Sequence, residues 1–220
     1  MTKYEVDLDR AIGGLSKPSK MPSYSYSLPA SRCKVGGKLR AVKGSTCAGC
    51  YAMKGRYVFS NVQSALTRRL DALNADRLAW EHNMVKLINS LQISHFRWHD
   101  SGDLQDADHL LRIIAIATAT PGTMHWLTTK EYALVRQYIT DGGFIPSNLC
   151  IRISAPMVNR PAPSICGLPV ANVHDPKAPA LVGAGFAPGY ACTAPSNGGK
   201  CGDCRACWAP TVPVVTYRKH

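Results

Sequence analysis

Apolar residues recur at helical steps through one long stretch in the first half of the chain, between residues 58 and 91. The positions that set this spacing are Val62, Leu66, Leu70, Leu73, Leu78, Val85 and Leu87. A period near 3.6 residues predicts helix, and the period is interrupted near Asn74–Asp76. We therefore expect two consecutive helices in this region.

Downstream, segments with strand character alternate with segments of helical spacing. Strands are predicted at HFRWHDSGD (95–103), TMHWLTTK (123–130) and NLCIRIS (148–154). Helices are predicted at LQDADHLLRIIAIATAT (104–120), starting near Leu104, and at EYALVRQYIT (131–140). This alternation with short links predicts βα units and an α/β fold, either a partial (β/α) barrel or an open parallel sheet with helices.

The two ends of the chain have a different character from this middle part. SYSYSLPA (23–30) predicts a short strand that feeds a loop rich in Gly, Lys and Cys, and VPVVTYRKH (212–220) predicts a last strand. After Ala155 the composition shifts to Pro, Gly and Ala. We therefore divide the chain into a core domain at residues 1–155, with the cysteine loop and the βα units, and an irregular Cys-rich C-terminal lobe at residues 156–220.

Composition narrows the functional classes. The chain has 220 residues, no apolar run long enough to cross a membrane and no signal-peptide pattern, so we expect a cytoplasmic protein without a membrane partner. Nine cysteines in a reducing compartment favour metal binding over disulfides. The formal net charge of +12 favours a polyanionic partner such as DNA or RNA. The alternative is that the excess of basic residues only keeps the protein soluble.

The C-terminal cysteines form the clearest motif, CTAPSNGGKCGDCRACW. Cys192, Cys201, Cys204 and Cys207 have the spacing C-x8-C-x2-C-x2-C. Two-residue gaps allow successive thiolates to converge on one metal centre. Four thiolates suit either tetrahedral zinc or a fully ligated [4Fe–4S] cluster, and the C-x2-C-x2-C run is closer to ferredoxin spacing.

An N-terminal set consists of Cys33, Cys47 and Cys50, spaced C-x13-C-x2-C. Three thiolates that hold a [4Fe–4S] cluster leave one iron without a protein ligand, so that a further ligand can bind there. Such an open position distinguishes catalytic metal sites from structural ones. The alternatives are one zinc site shared by Cys47, Cys50, Cys204 and Cys207, or a redox pair in the manner of thioredoxin. Cys150 is expected to be a small buried core residue, and Cys166 is not expected to be a ligand.

Polar side chains follow three predicted strands, where ligands of parallel sheets gather. Lys130 and Arg152 are candidates for holding a carboxylate or phosphate, and His99 for moving protons. In the turn Asp100-Ser101-Gly102-Asp103, the glycine permits close approach of a ligand and a carboxylate can accept from an ammonium. Asp103 could equally be the N-cap of the helix that starts near Leu104.

Several segments together carry a resemblance to a known family. They are SLPA followed by Cys33, CAGCYAMKGRY, FRWHDSGDLQDADHL, LTTK, the C…CGDCRACW tail and the terminal YRKH. In this order they resemble the phage gene product eighty-eight family of iron–sulfur proteins. That family is distantly similar to the radical S-adenosylmethionine superfamily, in which the cluster spacing is usually C-x3-C-x2-C.

The resemblance implies roles for individual residues. Cys33, Cys47 and Cys50 would hold a catalytic [4Fe–4S] cluster whose open iron binds the amino and carboxylate groups of S-adenosylmethionine. Asp100, Ser101, Gly102 and Asp103 would contact that cofactor, with Tyr51 and Ser154 as further contacts. The C-terminal cysteines would hold an auxiliary cluster.

The first hypothesis is therefore an iron–sulfur enzyme that modifies a nucleic acid or a nucleotide in the host cytoplasm, served by a reductant protein. The basic residues of the cysteine loop support a phosphate-bearing partner; they are Lys34, Lys38, Arg40, Lys43, Lys54 and Arg56. One alternative is a non-enzymatic nucleic-acid-binding module stabilised by clusters or zinc. Another is a cluster that acts as a Lewis acid without S-adenosylmethionine.

Overall fold

The computed structural model describes residues 1–177 and 189–219, and within these ranges it contains one open, parallel, seven-stranded sheet. The strands are β1 (Tyr24–Tyr26), β2 (His95–Trp98), β3 (Met124–Thr129), β4 (Leu149–Ser154), β5 (Val170–His174), β6 (Tyr190–Ala191) and β7 (Val214–Arg218). Their order across the sheet is β1-β2-β3-β4-β5-β7-β6. The predicted open parallel sheet is confirmed, and the sheet does not close into a barrel.

Six α-helices are present in the part of the chain that the structure describes. They are α1 (Lys3–Ala11), α2 (Lys34–Leu39), α3 (Ser60–Ala75), α4 (Arg77–Ser90), α5 (Ala107–Ala119) and α6 (Tyr132–Thr140). The predicted break between α3 and α4 is confirmed at Asp76, whose side chain accepts from Ala79 N and caps α4. Across the same described ranges, we find no helix with the length and apolar character to cross a membrane.

Helix α5 begins three residues later than the sequence predicted. Its N-cap is Asp106, whose carboxylate accepts from His109 N at 3.0 Å and also pairs with Arg77 on α4. The prediction that Asp103 caps this helix is therefore wrong. Asp103 and Asp106 both precede the apolar run of this helix. The ion pair with Arg77 favours Asp106 as the N-cap.

Helix α1 was not predicted, although its start carries a recognisable signal. Thr2 and Glu5 form a capping box: the Thr2 hydroxyl accepts from Glu5 N, and the Glu5 carboxylate accepts from Thr2 N. Leu8 and Ile12 then enter the core. The helix has few other apolar residues, so the spacing of apolar residues did not predict it.

One face of the sheet packs on the helices. Successive strand residues point to opposite faces, and Phe96, Trp98, Leu127, Ile151 and Ile153 all point to the helical side. There they pack with buried residues of α4 and α5, which include Trp80, Met84, Leu87, Leu110 and Ile113. This face is the apolar core, and its burial is the main source of stability in a domain of this size.

The opposite face of the sheet is polar and aromatic, and the C-terminal lobe covers it. Trp208 packs edge-on against Trp126 at 5.1 Å and donates to the Phe96 carbonyl at 2.9 Å. All six residues of β4 are buried, because both faces are covered. The lobe also contributes β5, β6 and β7 to the same sheet; residues 178–188 and 220 of the predicted lobe lie outside the described residues.

Candidate functional site

The cysteine loop between residues 31 and 58 runs along the carboxyl ends of four neighbouring strands. Just after β1, Leu28 N donates to the Ser101 carbonyl in the turn after β2. Val35 N donates to the Glu131 carboxylate after β3 at 2.9 Å, and Thr46 N donates to the Pro156 carbonyl after β4 at 2.9 Å. The loop is therefore fixed at the edge where parallel sheets bind ligands.

Cys33, Cys47 and Cys50 are neighbours in this loop, and all three are partly exposed. Gly36 leaves room for two of them: a Cβ at Gly36 would lie 3.5 Å from the Cys47 Sγ and 3.8 Å from the Cys33 Sγ. Burial first, and then the nearby Asp103, Cys50 and Cys47, raise the pKa of the Cys33 thiol to about 12. The three thiols thus share one local environment.

The C-terminal cysteines form a second group. Cys204 Sγ lies 3.2 Å from the Tyr190 hydroxyl, and Cys207 Sγ lies 3.0 Å from the Tyr217 hydroxyl. The pKa of Cys201 is raised by burial and by the neighbouring Cys192 and Cys204. Across residues 1–177 and 189–219, no three His, Cys, Asp or Glu side chains are arranged to hold a single metal ion.

Arg97 lies between the two cysteine groups, on the polar face of the sheet. Its guanidinium stacks on the Trp126 ring, with 4.4 Å between Cζ and the ring centroid. On one side it interacts with Tyr51, which follows Cys50 directly. On the other side, burial raises the pKa of Cys201 and Cys207, and the charge of Arg97 opposes that rise. A single cation therefore faces both groups.

The electrostatic surroundings keep Arg97 charged. Burial alone would lower the pKa of its guanidinium, but Tyr51, Asp100, Tyr217 and Tyr57 together raise it above its ordinary value. Tyr51 and Tyr57 also meet edge-on, with ring centroids 5.7 Å apart.

Asp100 is bound by both of these tyrosines. Its backbone carbonyl accepts from the Tyr51 hydroxyl, and its Oδ2 accepts from the Tyr57 hydroxyl at 2.9 Å. Its Oδ1 is buried and has no hydrogen-bond partner among the described residues. Tyr51 and Asp100, two predicted cofactor contacts, are thus brought together, and one carboxylate oxygen is left for a further donor.

Ser101 and Gly102 connect this turn to the start of the cysteine loop. The Ser101 hydroxyl donates to the Leu28 carbonyl at 2.9 Å. Gly102 has a φ of +86°, and a Cβ there would lie 2.7 Å from the Leu28 Cβ. The glycine permits a close approach, as predicted, but the group that approaches it in the structure is Leu28.

Asp103 ties β2 to β3. Its Oδ1 accepts from Leu104 N and from the Thr129 hydroxyl, and its Oδ2 accepts from Lys130 N at 2.9 Å. Burial raises the pKa of this carboxyl to about 6, while the three hydrogen bonds and Lys130 oppose the shift. Asp103 lies near Cys33, and both of its carboxylate oxygens already accept hydrogen bonds from the protein.

Lys130 and Ser154 are brought together at the ends of β3 and β4. The Lys130 ammonium donates to the Ser154 hydroxyl at 2.7 Å, and the Tyr132 hydroxyl donates to the Ser154 carbonyl. The charges of Asp103 and Cys47 both act on Tyr132, so this group lies beside the cysteine loop. Lys130, Ser154 and Tyr132 therefore form one polar wall of the site.

Arg152, by contrast, is fully used by the protein. It is buried, and all five of its N–H groups donate to backbone carbonyls, namely those of Ala206, Cys207, Ala209, Val212 and Val170. These bonds fasten the C-terminal lobe to β4. They leave no N–H group for an anion, so Arg152 does not belong to the site proposed below.

His99 lies behind the site, on the side of α5. It is buried with a φ of +59°, and its ring meets that of His109 edge-on at 5.2 Å. Burial, His109 and Arg97 all lower the pKa of His99 well below its usual range. Neither of its ring nitrogens has a partner among the described residues. A proton-transfer role for His99 stays a prediction.

Four residues of the site escaped the sequence analysis: Arg97, Tyr57, Tyr132 and Glu131. Arg97 alternates with Phe96 and Trp98 on β2, which is the ordinary pattern of a strand with one exposed face. Nothing in that pattern shows that a distant lobe covers the arginine. Tyr132 and Glu131 follow Lys130 directly, so a wider window around the strand end would have included them.

The two single cysteines lie apart from both groups, and a non-ligand role for Cys166 stays a prediction. Cys150 is buried in β4, as predicted. Burial raises the pKa of its thiol to about 11. Cys166 is exposed and lies in neither group.

Comparisons with known proteins give one match. A family model described as Gene product 88 matches residues 2–210, which is nearly the whole chain. A search of curated proteins found no match, and neither did a search of solved structures.

Proposed function

Because the chain belongs to the Gene product 88 family, we propose a function built on the cysteines within the matched segment: an iron–sulfur enzyme with its reactive site at the carboxyl edge of the sheet. Cys33, Cys47 and Cys50 would hold a [4Fe–4S] cluster that has one iron without a protein ligand. The observation that carries this proposal is the placement of three neighbouring, partly exposed thiols on a loop that is bonded to the segments after β2, β3 and β4.

The donor set fits such a cluster. Three thiols are one fewer than a closed structural site requires, and soft thiolates are the ligands that iron–sulfur clusters take. Gly36 leaves the space next to two of the sulfurs free of a side chain. When bound, the cluster would supply an electron for reductive cleavage of S-adenosylmethionine, which is the chemistry implied by the distant superfamily resemblance.

The polar wall beside the loop suits the cofactor's amino-acid end. The Lys130 ammonium can bind a carboxylate, and the Ser154 hydroxyl that it contacts can bind the same group. Tyr132 holds the Ser154 backbone in place. The protein would thereby orient the methionine portion, while the covered polar face of the sheet limits access of water.

The C-terminal cysteines would hold a second, fully ligated cluster. The charges of Cys192, Cys204 and Cys207 all act on Tyr190, and those of Cys192 and Cys204 act on Cys201, so the four lie in one part of the lobe. Arg152 fastens the surrounding backbone to the sheet. Arg97 would place positive charge between the two clusters, which stabilises their reduced forms and raises their potentials. A reductant protein would deliver the electron, and the substrate would be a nucleotide or nucleic acid, in line with the net charge of +12.

The attachment of the C-terminal lobe to the sheet also supports a second candidate function. Since Arg152 and Trp208 serve the packing of the lobe, metal there can be purely structural, in a non-enzymatic module that binds nucleic acid. A zinc ion in the C-terminal site would fit that role.

Incubation with S-adenosylmethionine and dithionite under anaerobic conditions tests the enzyme. We expect release of 5′-deoxyadenosine from the wild-type chain, and a loss of more than about tenfold in Lys130→Met, because a charged contact is removed. Lys43→Met, an exposed lysine of the same loop region, is the matched control and should retain activity. An iron-loaded chain that releases none would contradict the proposal, and cluster-dependent turnover without this cofactor would favour Lewis-acid chemistry.

A further inference from the structure

A cleft lies beside the cysteine loop, on the outer side of β1. It has a volume of about 430 Å³, within the usual range for small-ligand sites. Its polar lining comes from four parts of the chain: the segment before β1, the end of β1, the loop before α3 with α3 itself, and the turn after β2. These polar residues are Lys17, Ser27, Arg56, Asn61, Arg69 and Asp100.

Two buried polar atoms in the lining have no partner. The Ser27 side chain is 2% exposed, and its Oγ makes no hydrogen bond with any described residue. The same holds for Asp100 Oδ1, although Asp100 Oδ2 accepts from Tyr57. Buried polar groups normally have a partner, because leaving one unpaired costs about 1–3 kcal/mol. A ligand with hydroxyl or amino donors would supply the missing partners.

The charge of the cleft favours an anion. Lys17, Arg56 and Arg69 face a single carboxylate, that of Asp100. None of the three cations forms an ion pair within residues 1–177 and 189–219. Arg69 is buried and uses its Nε on the Gly14 carbonyl. A phosphate group is the anion that lysine and arginine together recognise best.

The remaining wall of the cleft is apolar. Val62, Ala65 and Leu66 line it, and their spacing of three and four residues places them on one face of α3. A flat apolar group such as a nucleobase can rest against this face, as bases do on apolar and aromatic side chains.

We propose that this cleft binds one nucleotide unit. The phosphate meets Lys17 and Arg56, a sugar hydroxyl donates to Asp100 Oδ1 and contacts Ser27, and the base lies on the apolar face of α3. This assignment deepens the proposed function, since it rests on a nucleotide or nucleic-acid substrate and places it next to the cysteine loop through Asp100 and Tyr57. The binding step itself requires no cluster.

Binding of adenosine monophosphate, inorganic phosphate and a single-stranded DNA ten-mer to the full-length protein tests this assignment by calorimetry. We expect the nucleotide to bind more tightly than phosphate alone. Lys17→Gln and Arg56→Gln should each raise the Kd by about tenfold, because each removes a charge-assisted contact. Asp100→Asn should weaken binding of the nucleotide and leave binding of phosphate unchanged.

Lys86→Gln and Arg68→Gln are the matched controls, because both side chains are exposed and outside the cleft lining. Equal weakening by controls and cleft variants, or binding of the ten-mer without binding of the nucleotide, would show general attraction of polyanions and overturn the assignment. Cys50→Ala should bind the nucleotide as the wild type does. The nucleotide assignment can therefore be overturned while the cluster proposal stands, and the cluster proposal can be overturned while the nucleotide assignment stands.

Discussion

The two cysteine groups are attached to the sheet in different ways. The N-terminal group lies on a loop that backbone and side-chain hydrogen bonds hold at strand ends, with polar side chains such as Lys130 and Ser154 around it. The C-terminal group lies in a lobe fastened across the face of the sheet by Arg152 and Trp208. The first arrangement leaves room for a ligand, and the second holds a lobe in place.

The largest expected difference between the groups is in folding. Cys204→Ala should lower the midpoint of thermal unfolding of the metal-loaded protein by more than about 10 °C, because metal binding in an irregular lobe contributes directly to folding. Cys50→Ala should change that midpoint by only a few degrees, since hydrogen bonds to the segments after β2, β3 and β4 hold its loop. Calorimetry of both variants measures the difference, and equal shifts would contradict the division into two kinds of site.

Arg152→Met tests the anchor of the lobe without touching a cysteine. The change leaves buried carbonyls without donors and should lower the free energy of unfolding by about 3–5 kcal/mol. Chemical denaturation measures it, with Arg136→Met as the control on α6, where no buried carbonyl depends on the side chain among the described residues. A loss below about 1 kcal/mol would mean that the lobe is held by other contacts.

Gly102→Ala tests the close approach between the turn after β2 and the start of the cysteine loop. A Cβ at this position would lie 2.7 Å from the Leu28 Cβ, in a backbone conformation with φ of +86°. We expect a loss of about 2–3 kcal/mol in the free energy of unfolding. Gly122→Ala is the control, because a Cβ there meets nothing within 4 Å. Similar behaviour of the two variants would contradict the packing described at Leu28.

Asp103 should give the most gradual effect, which is spread over a range of pH. Because burial raises its folded pKa from 3.8 to about 6, the folded state binds its proton more tightly than the unfolded state does. This residue therefore contributes stability below about pH 4, and that contribution is lost as the pH rises to about 6. It amounts to at most about 3 kcal/mol.

The measurement is the difference in unfolding free energy between the wild type and Asp103→Asn across pH 4 to 7. The difference should change within the window from about pH 4 to about pH 6 and stay flat above it. A flat difference throughout would mean that the carboxyl titrates normally in the folded protein.

Local patterns were sufficient to predict much of the fold. Strands β2, β3 and β4 and helices α3 to α6 were visible because their apolar residues face one core at regular spacing. Helix α1 was missed because it contributes only a narrow apolar face. Strands β5 and β6 were missed because they lie in a Pro- and Gly-rich segment, where pairing with β4 and β7, more than local propensity, makes them strands.

The site was predicted less completely, since it depends on which distant segments meet. Both cysteine motifs and the strand-end residues Lys130 and Ser154 were visible as patterns, and the structure brings the N-terminal motif, Lys130 and Ser154 to one edge of the sheet. The full use of Arg152 by five carbonyls was not visible, because four of these acceptors lie 54 to 60 residues further along the chain. The same is true of Arg97, whose neighbours come from both cysteine groups.

Iron and sulfide analysis of anaerobically prepared protein, together with electron paramagnetic resonance after reduction, tests the central claim most directly. The account predicts about eight irons and eight sulfides per wild-type chain, and about four of each in Cys50→Ala and in Cys204→Ala, with a different signal lost in each variant. A colourless protein with a single zinc ion, or a wild-type chain whose cysteines are joined in disulfides, would contradict it.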